Sequence, residues 1–511
     1  MRLSTLANSS KDITLRGADI EVTGLTEDSR KVKPGCLFIA TPGVKQDGRA
    51  FIDDAIKRGA VAVLLPKTLQ DKEQPQSNND DIPLPLREGL GEGSPQASNI
   101  SLLTAPDIRD ATSALAAAFY PRQPETIAAV TGTSGKTSTA QFAREIWQAL
   151  RHKSASIGTL GLVTAEETAY GSLTTPDAIT LHRLLDECAE HDITHAVIEA
   201  SSHGIELHRL DHVRLKAGGF TNLSRDHLDY HQTMEAYLAA KMGLFERILP
   251  EGAAAVLNAD IPEYAALEAA AKKRKLKIIS YGRQGHDLRL LDLLPDAQGQ
   301  TLRLEAFGKE IDARLSVIGG FQAWNALCAA GMAIGGGEDA EAVLAALAAI
   351  TGVPGRLQFI GLSAKGGAVF VDYAHKPDAL ENVLAALRAH VVPHGAKLGV
   401  IFGCGGNRDA GKRPIMGRIA QEKADWVIVS DDNPRHEEPG MIRAAILAGC
   451  ADKTNVKEVG DRAKAIAAGI EKLGAHDVLV IAGKGHEPGQ IVGDKVLPFD
   501  DAEEARKVLG L

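Results

Sequence analysis

The sequence predicts an α/β protein of three domains: a small N-terminal α/β domain, a central doubly wound domain, and a C-terminal domain with a Rossmann-like parallel sheet. A chain of 511 residues is too long for a single hydrophobic core. Apolar strand-like segments alternate with helical ones on both sides of a turn at residues 353–356, which is the pattern of parallel sheets covered by helices. We therefore expect domains at residues 1–105, 106–350 and 351–511.

The N-terminal domain is predicted from a short helix over residues 51–59 followed by a buried strand over residues 60–65. Residues 69–99 interrupt this unit and are polar, rich in proline and glycine, and nearly aperiodic. Because such a composition does not form a packed core, we expect a mobile surface insertion there. A helix over residues 110–119 then leads into the next strand.

The central domain contains the most informative segment of the chain, residues 127–139. Its apolar start indicates a buried strand, and a glycine-rich loop with a Lys-Thr pair then opens an amphipathic helix. Such glycines let backbone N–H groups point at a polyphosphate, while the lysine reaches the terminal phosphates and the threonine hydroxyl reaches magnesium. Val130 stands where a standard Walker loop has glycine, so this loop is a compressed variant; the alternative is an ordinary glycine-rich turn. We predict a P-loop ATPase-like domain that binds a nucleoside triphosphate and Mg²⁺ through Gly132, Thr133, Ser134, Gly135, Lys136, Thr137 and Ser138.

Polar clusters follow the strands of the C-terminal domain. Strands are predicted at residues 195–198, 253–258 and 277–281 in the central domain and at 368–373, 398–402, 426–430 and 478–481 beyond the turn, with helices after each. The last four strands end in polar residues, at 372–375, 403–408, 431–435 and 483–487. Open parallel sheets bind ligands at the carboxyl ends of their strands. Four clusters in register therefore predict a polar pocket, the alternative being four solvated turns.

Composition excludes several classes of partner. The formal net charge is −9, and lysines and arginines are interspersed with acidic residues, so we expect no nucleic-acid-binding stripe. The N-terminus carries no apolar targeting region and no run of about 18 apolar residues occurs, so we expect a cytoplasmic protein without a membrane span. The five cysteines are scattered without metal-binding spacing, which indicates reduced and mostly buried thiols. We expect a monomer acting on small molecules.

The motifs in this order and spacing resemble the Mur ligase family, and within it the enzymes that add diaminopimelate. The resemblance rests on residues 28–30, 47–48, 174–177, 199–204, 221–229 and 353–356, the phosphate loop, and the four strand-end clusters. It implies that ATP activates a D-glutamate carboxylate of UDP-MurNAc-L-Ala-D-Glu as an acyl phosphate. The amine of meso-diaminopimelate then opens that phosphate to an amide. The resemblance also implies that the N-terminal domain binds the UDP-sugar, the central domain ATP and the C-terminal domain the incoming amino acid.

The resemblance further implies the groups that surround the reacting phosphate. Lys136 and a magnesium ion on Thr137 neutralise charge, as phosphoryl transfer demands. Glu199 and His227 are implied as ligands of a second magnesium, although taken alone they can be read as a helix N-cap and a helix-start residue. Lys241 is implied to be a carbamylated lysine and a metal ligand, the alternative being a solvated salt-bridge partner on its helix.

Residues that bracket the nucleotide and the sugar substrate also come from the resemblance. Asn325, Arg356 and Asp372 are implied at the nucleotide; Asn325 can also be read as a helix cap and Arg356 as a surface pair. The residues implied along the UDP-sugar and its dipeptide are Ser29, Val44, Lys45, Gln46, Thr174, Thr175, Ser201 and Arg209. Hydroxyls and an arginine suit an anionic peptide.

The choice of amino acid is predicted from residues 432–435, Asp-Asn-Pro-Arg, which resemble the signature of diaminopimelate-adding enzymes. Diaminopimelate differs from lysine by a second carboxylate, and a fork-shaped guanidinium pairs with a carboxylate through two hydrogen bonds. The pocket is expected to include Arg408, Asp432, Asn433, Pro434, Arg435, Gly483 and Glu487, with the two arginines on the distal carboxylate and the two acids on the ammonium. The alternative is a simple Asn-Pro turn with the arginine in water.

Two alternative functions fit part of the sequence. Another Mur or folylpolyglutamate-type ligase would take a different acceptor, which residues 432–435 and the N-terminal residues 28–30 disfavour. A P-loop switch would need no pocket in a separate C-terminal domain. Because the two predicted pockets lie on different domains, we expect domain closure to be part of catalysis.

Overall fold

The structure, a computed structural model, describes residues 1–43, 47–67, 100–169, 171, 173–296 and 299–511. The predicted substrate loop at 44–46 and the predicted insertion at 69–99 lie outside these residues. Three mixed or parallel sheets covered by helices confirm the predicted fold class. Across the described part of the chain, no helix combines the length and the hydropathy needed to span a membrane.

The N-terminal sheet has five strands in the order β1-β5-β4-β3-β2, parallel except for the β1–β5 pair. Its core continues into the helix Ile108–Phe119, whose buried face joins the same apolar cluster and also contacts Ile179. The strands are β1 (Thr14–Arg16), β2 (Gly24–Thr26), β3 (Cys36–Ile39), β4 (Ala62–Pro66) and β5 (Ser101–Ala105); the helices are Leu3–Ala7, Ile52–Lys57 and the 3₁₀ turns Ser29–Lys31 and Gly48–Phe51.

The central sheet has eleven strands in the order β16-β15-β14-β13-β12-β11-β6-β10-β7-β8-β9. Strands β13 to β7 of that order run parallel, and because helices cover both faces they are buried, near-continuous apolar runs. The strands are β6 (Thr126–Thr131), β7 (Ser154–Gly158), β8 (Gly161–Val163), β9 (Thr168–Ala169), β10 (His195–Glu199), β11 (Leu215–Phe220), β12 (Ala254–Asn258) and β13 (Lys277–Gly282). The helices are Lys136–Ala149, Ala178–Glu190, Ser202–Glu206, Leu228–His231, Met234–Gly243, Tyr264–Lys273, Gly320–Gly336 and Ala340–Ala346, with a π-helix at Leu244–Ile248 and a 3₁₀ turn at Leu347–Ala349.

An antiparallel extension of the central sheet follows β13, where a helix was predicted, so that expectation was wrong. It comprises β14 (Leu288–Asp296), β15 (Gly299–Ala306) and β16 (Lys309–Leu315). In β15 buried and half-exposed positions alternate, as in a strand with one face on the core and one in water. The alternation of Leu302, Leu304 and Ala306 with polar residues was the sequence signal for it.

The C-terminal sheet has the order β17-β18-β22-β19-β20-β21, parallel except for the β17–β18 pair. One expectation was wrong: a β-hairpin, not a helix, follows β22, and the helix Asp501–Leu509 comes only after it. The strands are β17 (Gln358–Leu362), β18 (Ala368–Asp372), β19 (Leu398–Phe402), β20 (Trp426–Val429), β21 (Val456–Glu458), β22 (Val478–Ala482), β23 (Gly489–Val492) and β24 (Lys495–Pro498). The helices are Pro377–Val391, Lys412–Lys423, Pro439–Leu447, Arg462–Lys472 and Asp501–Leu509, with a 3₁₀ turn at Val392–His394.

The central and C-terminal domains meet in at least two places. At the connection between them, Glu145 accepts hydrogen bonds from the backbone N–H and the hydroxyl of Thr351, at 2.9 and 2.8 Å. Farther out, the Lys376 ammonium lies 3.7 Å from the Asp226 carboxylate, which precedes His227. The carboxyl ends of the C-terminal strands therefore face the loops that follow the central strands.

Candidate functional site

The phosphate loop folds as the glycine spacing predicts. Gly132 and Gly135 have φ angles of 141° and 86°, a region that other residues enter only with strain. Both glycines are also tightly enclosed: an added Cβ would lie 2.0 Å from the Thr221 hydroxyl at the first and 2.3 Å from the Asn325 side chain at the second. The helix Lys136–Ala149 begins directly after the loop, so its free N–H groups face the space enclosed by residues 132–135.

Two lysine side chains converge on one carbonyl of this loop. The Nζ atoms of Lys136 and Lys241 each donate to the Gly132 carbonyl oxygen at 2.8 Å. Lys241 is 1% exposed and its Nζ atom lies 4.4 Å from the centre of the Tyr237 ring. Burial, reinforced by the charge of Lys136, lowers the pKa of Lys241 to about 6, so its amine is neutral at pH 7. Burial also lowers the pKa of Lys136, against the opposing effect of Glu199.

Glu199 ends strand β10 and faces the same loop. Its carboxylate accepts from the Thr137 hydroxyl at 3.0 Å and from the Thr159 backbone N–H at 2.8 Å. Burial raises the pKa of this carboxyl, while the charge of Lys136 opposes the rise. The helix that follows is capped by Ser201, so the reading of Glu199 as an N-cap is wrong. Thr159 was missed, although it follows strand β7 at the same sheet edge.

The oxygen donors at this point fit a magnesium ion. Mg²⁺ prefers hard oxygen ligands and few protein groups. Thr137 and Glu199 supply a hydroxyl and a carboxylate within hydrogen-bonding distance of each other. The carboxylate is buried, where a cation would offset its desolvation.

His227 lies at the rim of this site. It precedes the helix Leu228–His231 with a φ of 53°, makes no side-chain cap bond, and its ring lies 3.6 Å from the Asp226 carboxylate. Its ring centre is 6.2 Å from that of Tyr237, on which Lys241 packs. The fold thus brings the four predicted metal-site residues to one end of the central sheet, with Thr137 and Glu199 in direct contact.

Hydroxyl groups extend the site away from Glu199. The Thr159 and Thr174 hydroxyls are 3.2 Å apart, and the Thr175 hydroxyl donates to the Glu199 carbonyl oxygen at 2.7 Å. The Thr175 and Ser201 hydroxyls are 2.9 Å apart. The Arg209 guanidinium donates to the Thr175 carbonyl at 2.7 Å, so the structure brings together all four residues predicted along the dipeptide. Ser29 lies in the N-terminal domain, buried in the 3₁₀ turn Ser29–Lys31.

Three residues predicted around the nucleotide lie in the central helix Gly320–Gly336 and at the start of the C-terminal domain. Asn325 is buried inside the helix Gly320–Gly336, so it does not cap a helix, and it contacts the loop at Gly135. The Arg356 guanidinium packs over the Tyr373 ring at 4.7 Å, and its charge contributes to the lowered pKa of Lys136. Burial raises the pKa of Asp372 to about 6, although its carboxylate accepts two backbone N–H bonds and lies near Arg356.

The strand-end clusters of the C-terminal sheet form one continuous polar surface. They follow β18, β22, β19 and β20, which are neighbours in the sheet. Gly403 and Gly483 let two loops pass close to Asp432: an added Cβ would lie 3.1 Å from its Cβ in one case and 2.6 Å from its Oδ2 in the other. Asp432 is buried in this crossing.

Asn433 and Arg435 fix the geometry of this surface. Asn433 donates to the Glu487 carboxylate at 2.8 Å and accepts from the Ile491 N–H at 2.8 Å. Arg435 has a φ of 53° and its guanidinium donates to the Gly406 carbonyl at 3.0 Å, so it lies against the neighbouring loop and not in open water.

The other predicted pocket residues differ in exposure. Pro434 is buried and Gly483 has a φ of 115°, whereas Arg408 is exposed and donates a long hydrogen bond of 3.4 Å to the Asn407 carbonyl.

Sequence reasoning missed Gln490, whose side chain donates to the Asp432 carbonyl at 2.6 Å. It also missed Arg462, fully buried with two bonds of 2.7 Å to Asp501. Gln490 belongs to the unpredicted hairpin.

The fold and the site together define a class of protein. It is a three-domain α/β protein in which a glycine-rich loop of the central sheet faces a polar surface at the strand ends of a C-terminal sheet. Family profiles match this division: "Mur ligase family, catalytic domain" at residues 21–92, "Mur ligase middle domain" at 130–333 and "Mur ligase, glutamate ligase domain" at 355–485. The chain belongs to the Mur ligase family.

Several relatives that match the whole chain carry the name UDP-N-acetylmuramoyl-L-alanyl-D-glutamate--2,6-diaminopimelate ligase. The protein of that name from Bradyrhizobium diazoefficiens is 49% identical, covering 100% of this chain and 99% of the relative. The one from Mesorhizobium japonicum is 47% identical with the same coverage. A solved structure of a ligase of that name is 32% identical, with a TM-score of 0.71 over 97% of both chains. MurF from Acinetobacter baumannii, 20% identical over 94% of this chain and 95% of that chain, shares the fold with a TM-score of 0.60.

Proposed function

We propose that this protein is the ATP-dependent ligase that joins meso-diaminopimelate to UDP-MurNAc-L-Ala-D-Glu during peptidoglycan precursor synthesis. The observation that carries the proposal is the full-length identity of 45% to 49% with relatives named for this reaction. The two polar surfaces, one at the phosphate loop and one at the C-terminal strand ends, supply the groups that the reaction needs.

The first half of the reaction belongs to the central domain. The D-glutamate side-chain carboxylate attacks the γ-phosphorus of ATP, and the bond between that phosphorus and the bridging oxygen breaks. ADP is the leaving group, and the product is an acyl phosphate. Two anions approach each other, so Lys136 and the N–H groups of the loop from Gly132 to Ser138 hold the phosphates. Asn325, Arg356 and Asp372 bracket the nucleotide. One Mg²⁺ on Thr137 and a second Mg²⁺ held by Glu199, His227 and a carbamylated Lys241 would neutralise charge on the phosphates.

The neutral amine of Lys241 supports its carbamylation. A lysine adds carbon dioxide only as the free amine, and burial keeps Lys241 in that form at pH 7. The nitrogen bonds to the carbon of CO₂ and releases a proton. The product is an anion able to bind a metal.

The sugar-peptide substrate would extend from the N-terminal domain to the phosphate loop. Ser29 would contact its uridine diphosphate part, together with the loop 44–46. The hydroxyls of Thr174, Thr175 and Ser201 with the cation of Arg209 would hold the dipeptide, since its carboxylates need hydrogen-bond donors.

The second half of the reaction belongs to the C-terminal domain. The amine of diaminopimelate attacks the acyl carbon, phosphate leaves, and the nitrogen loses a proton. Arg408 and Arg435 would pair with the distal carboxylate, and Asp432 and Glu487 would bind the distal ammonium. Asn433 supports this assignment, because its bond to Glu487 orients that carboxylate. Pro434 and Gly483 shape the two loops around the pocket.

The test is a direct product analysis. The protein is incubated with ATP, Mg²⁺, the UDP-dipeptide and either meso-diaminopimelate or lysine, and the products are weighed by mass spectrometry. We expect the tripeptide from diaminopimelate, with phosphate release that depends on both the UDP-dipeptide and the amino acid. Phosphate release that is independent of the amino acid, or a preference for lysine, would contradict the proposal. We further propose that the protein is cytoplasmic and monomeric. Light scattering of the purified chain would check the monomeric state.

A further inference from the structure

Three side chains with metal-binding atoms converge at the end of the central sheet opposite the phosphate loop. The Nε2 atoms of His152 and His195 lie 3.1 and 3.3 Å from the same carboxylate oxygen, Oε1 of Glu338. The two imidazole rings lie side by side, with centroids 4.0 Å apart and planes inclined by 31°. His195 begins β10, paired with Thr126 at the start of β6, whereas the phosphate loop follows the other end of β6.

The spacing of these three atoms fits one tetrahedral ion. Zinc binds histidine nitrogen and carboxylate oxygen at about 2.0 to 2.2 Å, which puts neighbouring ligand atoms of a tetrahedron about 3.3 Å apart. The two measured distances to Oε1 match that edge, and all three ligand atoms lie within 4.8 Å of one another. Two histidines and one glutamate are a known zinc ligand set, with a water completing the shell.

The backbone holds each ligand in place. His152 follows the helix Lys136–Ala149, and its N–H donates to the Trp147 carbonyl at 2.9 Å. Glu338 follows Gly337, whose φ of 118° ends the helix Gly320–Gly336, and the Glu338 N–H donates to Ala333 at 3.2 Å.

His195 also has the second contact expected of a metal ligand. Its Nδ1 lies 2.8 Å from the Thr194 hydroxyl, which leaves Nε2 pointing at Glu338. Metal-bound histidines commonly have such a partner on the other ring nitrogen, because it fixes the orientation of the ring.

We propose that His152, His195 and Glu338 form a transition-metal site that takes Zn²⁺. Imidazole nitrogen favours zinc over magnesium, so this site differs in chemistry from the oxygen-rich site at Thr137 and Glu199. An ion can reach it: the His152 side chain is 34% exposed and that of Glu338 19%, and His152 also lines an open groove of about 980 Å³.

The site joins the three elements that carry the nucleotide-binding residues. His152 comes just after the helix Lys136–Ala149, which begins at the phosphate loop. Strand β10 runs from His195 to Glu199, a distance of about 13 Å. The helix Gly320–Gly336, which ends beside Glu338, carries Asn325. A bound ion would therefore tie these elements together at their far ends and stabilise the folded state by mass action.

Calorimetric titration of the full chain with Zn²⁺, in buffer containing Mg²⁺, tests the proposal. We expect one zinc equivalent that is lost, or weakened by more than about tenfold, in His152→Asn and in Glu338→Gln. His191→Asn, which removes another histidine of the same groove, should bind zinc like the wild type. The double variant Glu199→Gln/His227→Asn should also keep this equivalent, which separates it from zinc bound at the magnesium site.

Thermal unfolding supplies the second readout. Zinc should raise the Tm of the wild type and of His191→Asn but not that of His152→Asn or Glu338→Gln. The proposal is overturned if all four proteins bind zinc alike. It is also overturned if the Tm of the two ligand variants lies below that of the wild type by the same amount in EDTA as in zinc, because the cluster is then only a hydrogen-bonded contact. Should both variants fail to fold, anomalous diffraction at the zinc edge from wild-type crystals decides, since a peak must lie between these three side chains.

Discussion

At the scale of single residues, Lys241 offers the sharpest test of the phosphate site. Its pKa of about 6 lies far below the usual 10.5, so the amine is free above pH 6 and protonated below it. We expect one carbamate signal in ¹³C NMR with labelled bicarbonate, falling as the pH drops through about 6. Lys241→Met should remove the signal and lower kcat by roughly 100-fold, as expected for loss of a metal ligand. The exposed Lys216→Met should keep both, and a carbamate signal that survives in Lys241→Met would contradict the assignment.

Arg435 tests the choice of amino acid. Its guanidinium is oriented by the Gly406 carbonyl, and diaminopimelate offers it a carboxylate that lysine lacks. Arg435→Ala should therefore cost about 2 to 5 kcal/mol in the binding of diaminopimelate and abolish its advantage over lysine in a competition assay. Arg418→Ala is the matched control, because Arg418 is exposed and paired with Glu422. Undiminished selectivity in Arg435→Ala would refute the role.

Motifs in the sequence predict the individual candidate residues but not the contacts that these residues make. Gly132 and Lys136 are four residues apart, so their bond follows from the loop itself. The bond from Lys241 to the same carbonyl spans 109 residues and depends on the packing of a separate helix, which no local pattern encodes. Thr159 was missed for the same reason: its hydroxyl and N–H matter only because β7 lies beside β10.

At the scale of elements, the phosphate loop predicts a difference between two glycines of similar backbone. Gly135 and Gly252 have φ angles of 86° and 83°, so alanine should cost each site about 1 to 2 kcal/mol of folding free energy. At Gly252 an added Cβ meets nothing within 4 Å, whereas at Gly135 it meets the Asn325 side chain at 2.3 Å. Gly135→Ala should therefore also weaken ADP binding, measured by calorimetry, by at least about tenfold, and Gly252→Ala should not. Equal ADP affinity in both variants would show that the loop does not hold the nucleotide.

Elements were predicted well where hydrophobic runs are long and poorly where a strand is half exposed. Strand β19, Leu398–Phe402, was predicted with its observed bounds, because a parallel strand buried on both faces is a continuous apolar run. The antiparallel strand β15, which has one polar face, and the hairpin β23–β24, which is partly or fully exposed along its length, were not predicted. The hairpin matters for the site, since it brings the Gln490 side chain and the Ile491 N–H to Asp432 and Asn433.

At the scale of the whole molecule, the proposed mechanism requires the acyl phosphate made at the central domain to meet the amine held by the C-terminal domain. The two domains are linked through residues 351–356, and Glu145 fixes the start of this connection by its two bonds to Thr351. On the far side, the pair Lys376–Asp226 joins the loop after β18 to the loop that carries His227. Closure around the acyl phosphate would exclude water and so protect it from hydrolysis.

Reversing the charge of Lys376 tests whether this contact contributes to closure. Lys376 is 58% exposed and lies 3.7 Å from Asp226, so the pair is worth no more than about 1 kcal/mol. Lys376→Glu replaces the attraction by repulsion, and we expect kcat/KM for the complete reaction to fall up to about fivefold at low salt and to recover as salt screens the charges. ADP affinity, which we expect to depend mainly on the phosphate loop, should change less than kcat/KM. Lys365→Glu, an exposed lysine of the same domain that bonds to the Glu471 carbonyl, is the matched control. If both variants behave alike, the contact between Lys376 and Asp226 has no part in bringing the two pockets together.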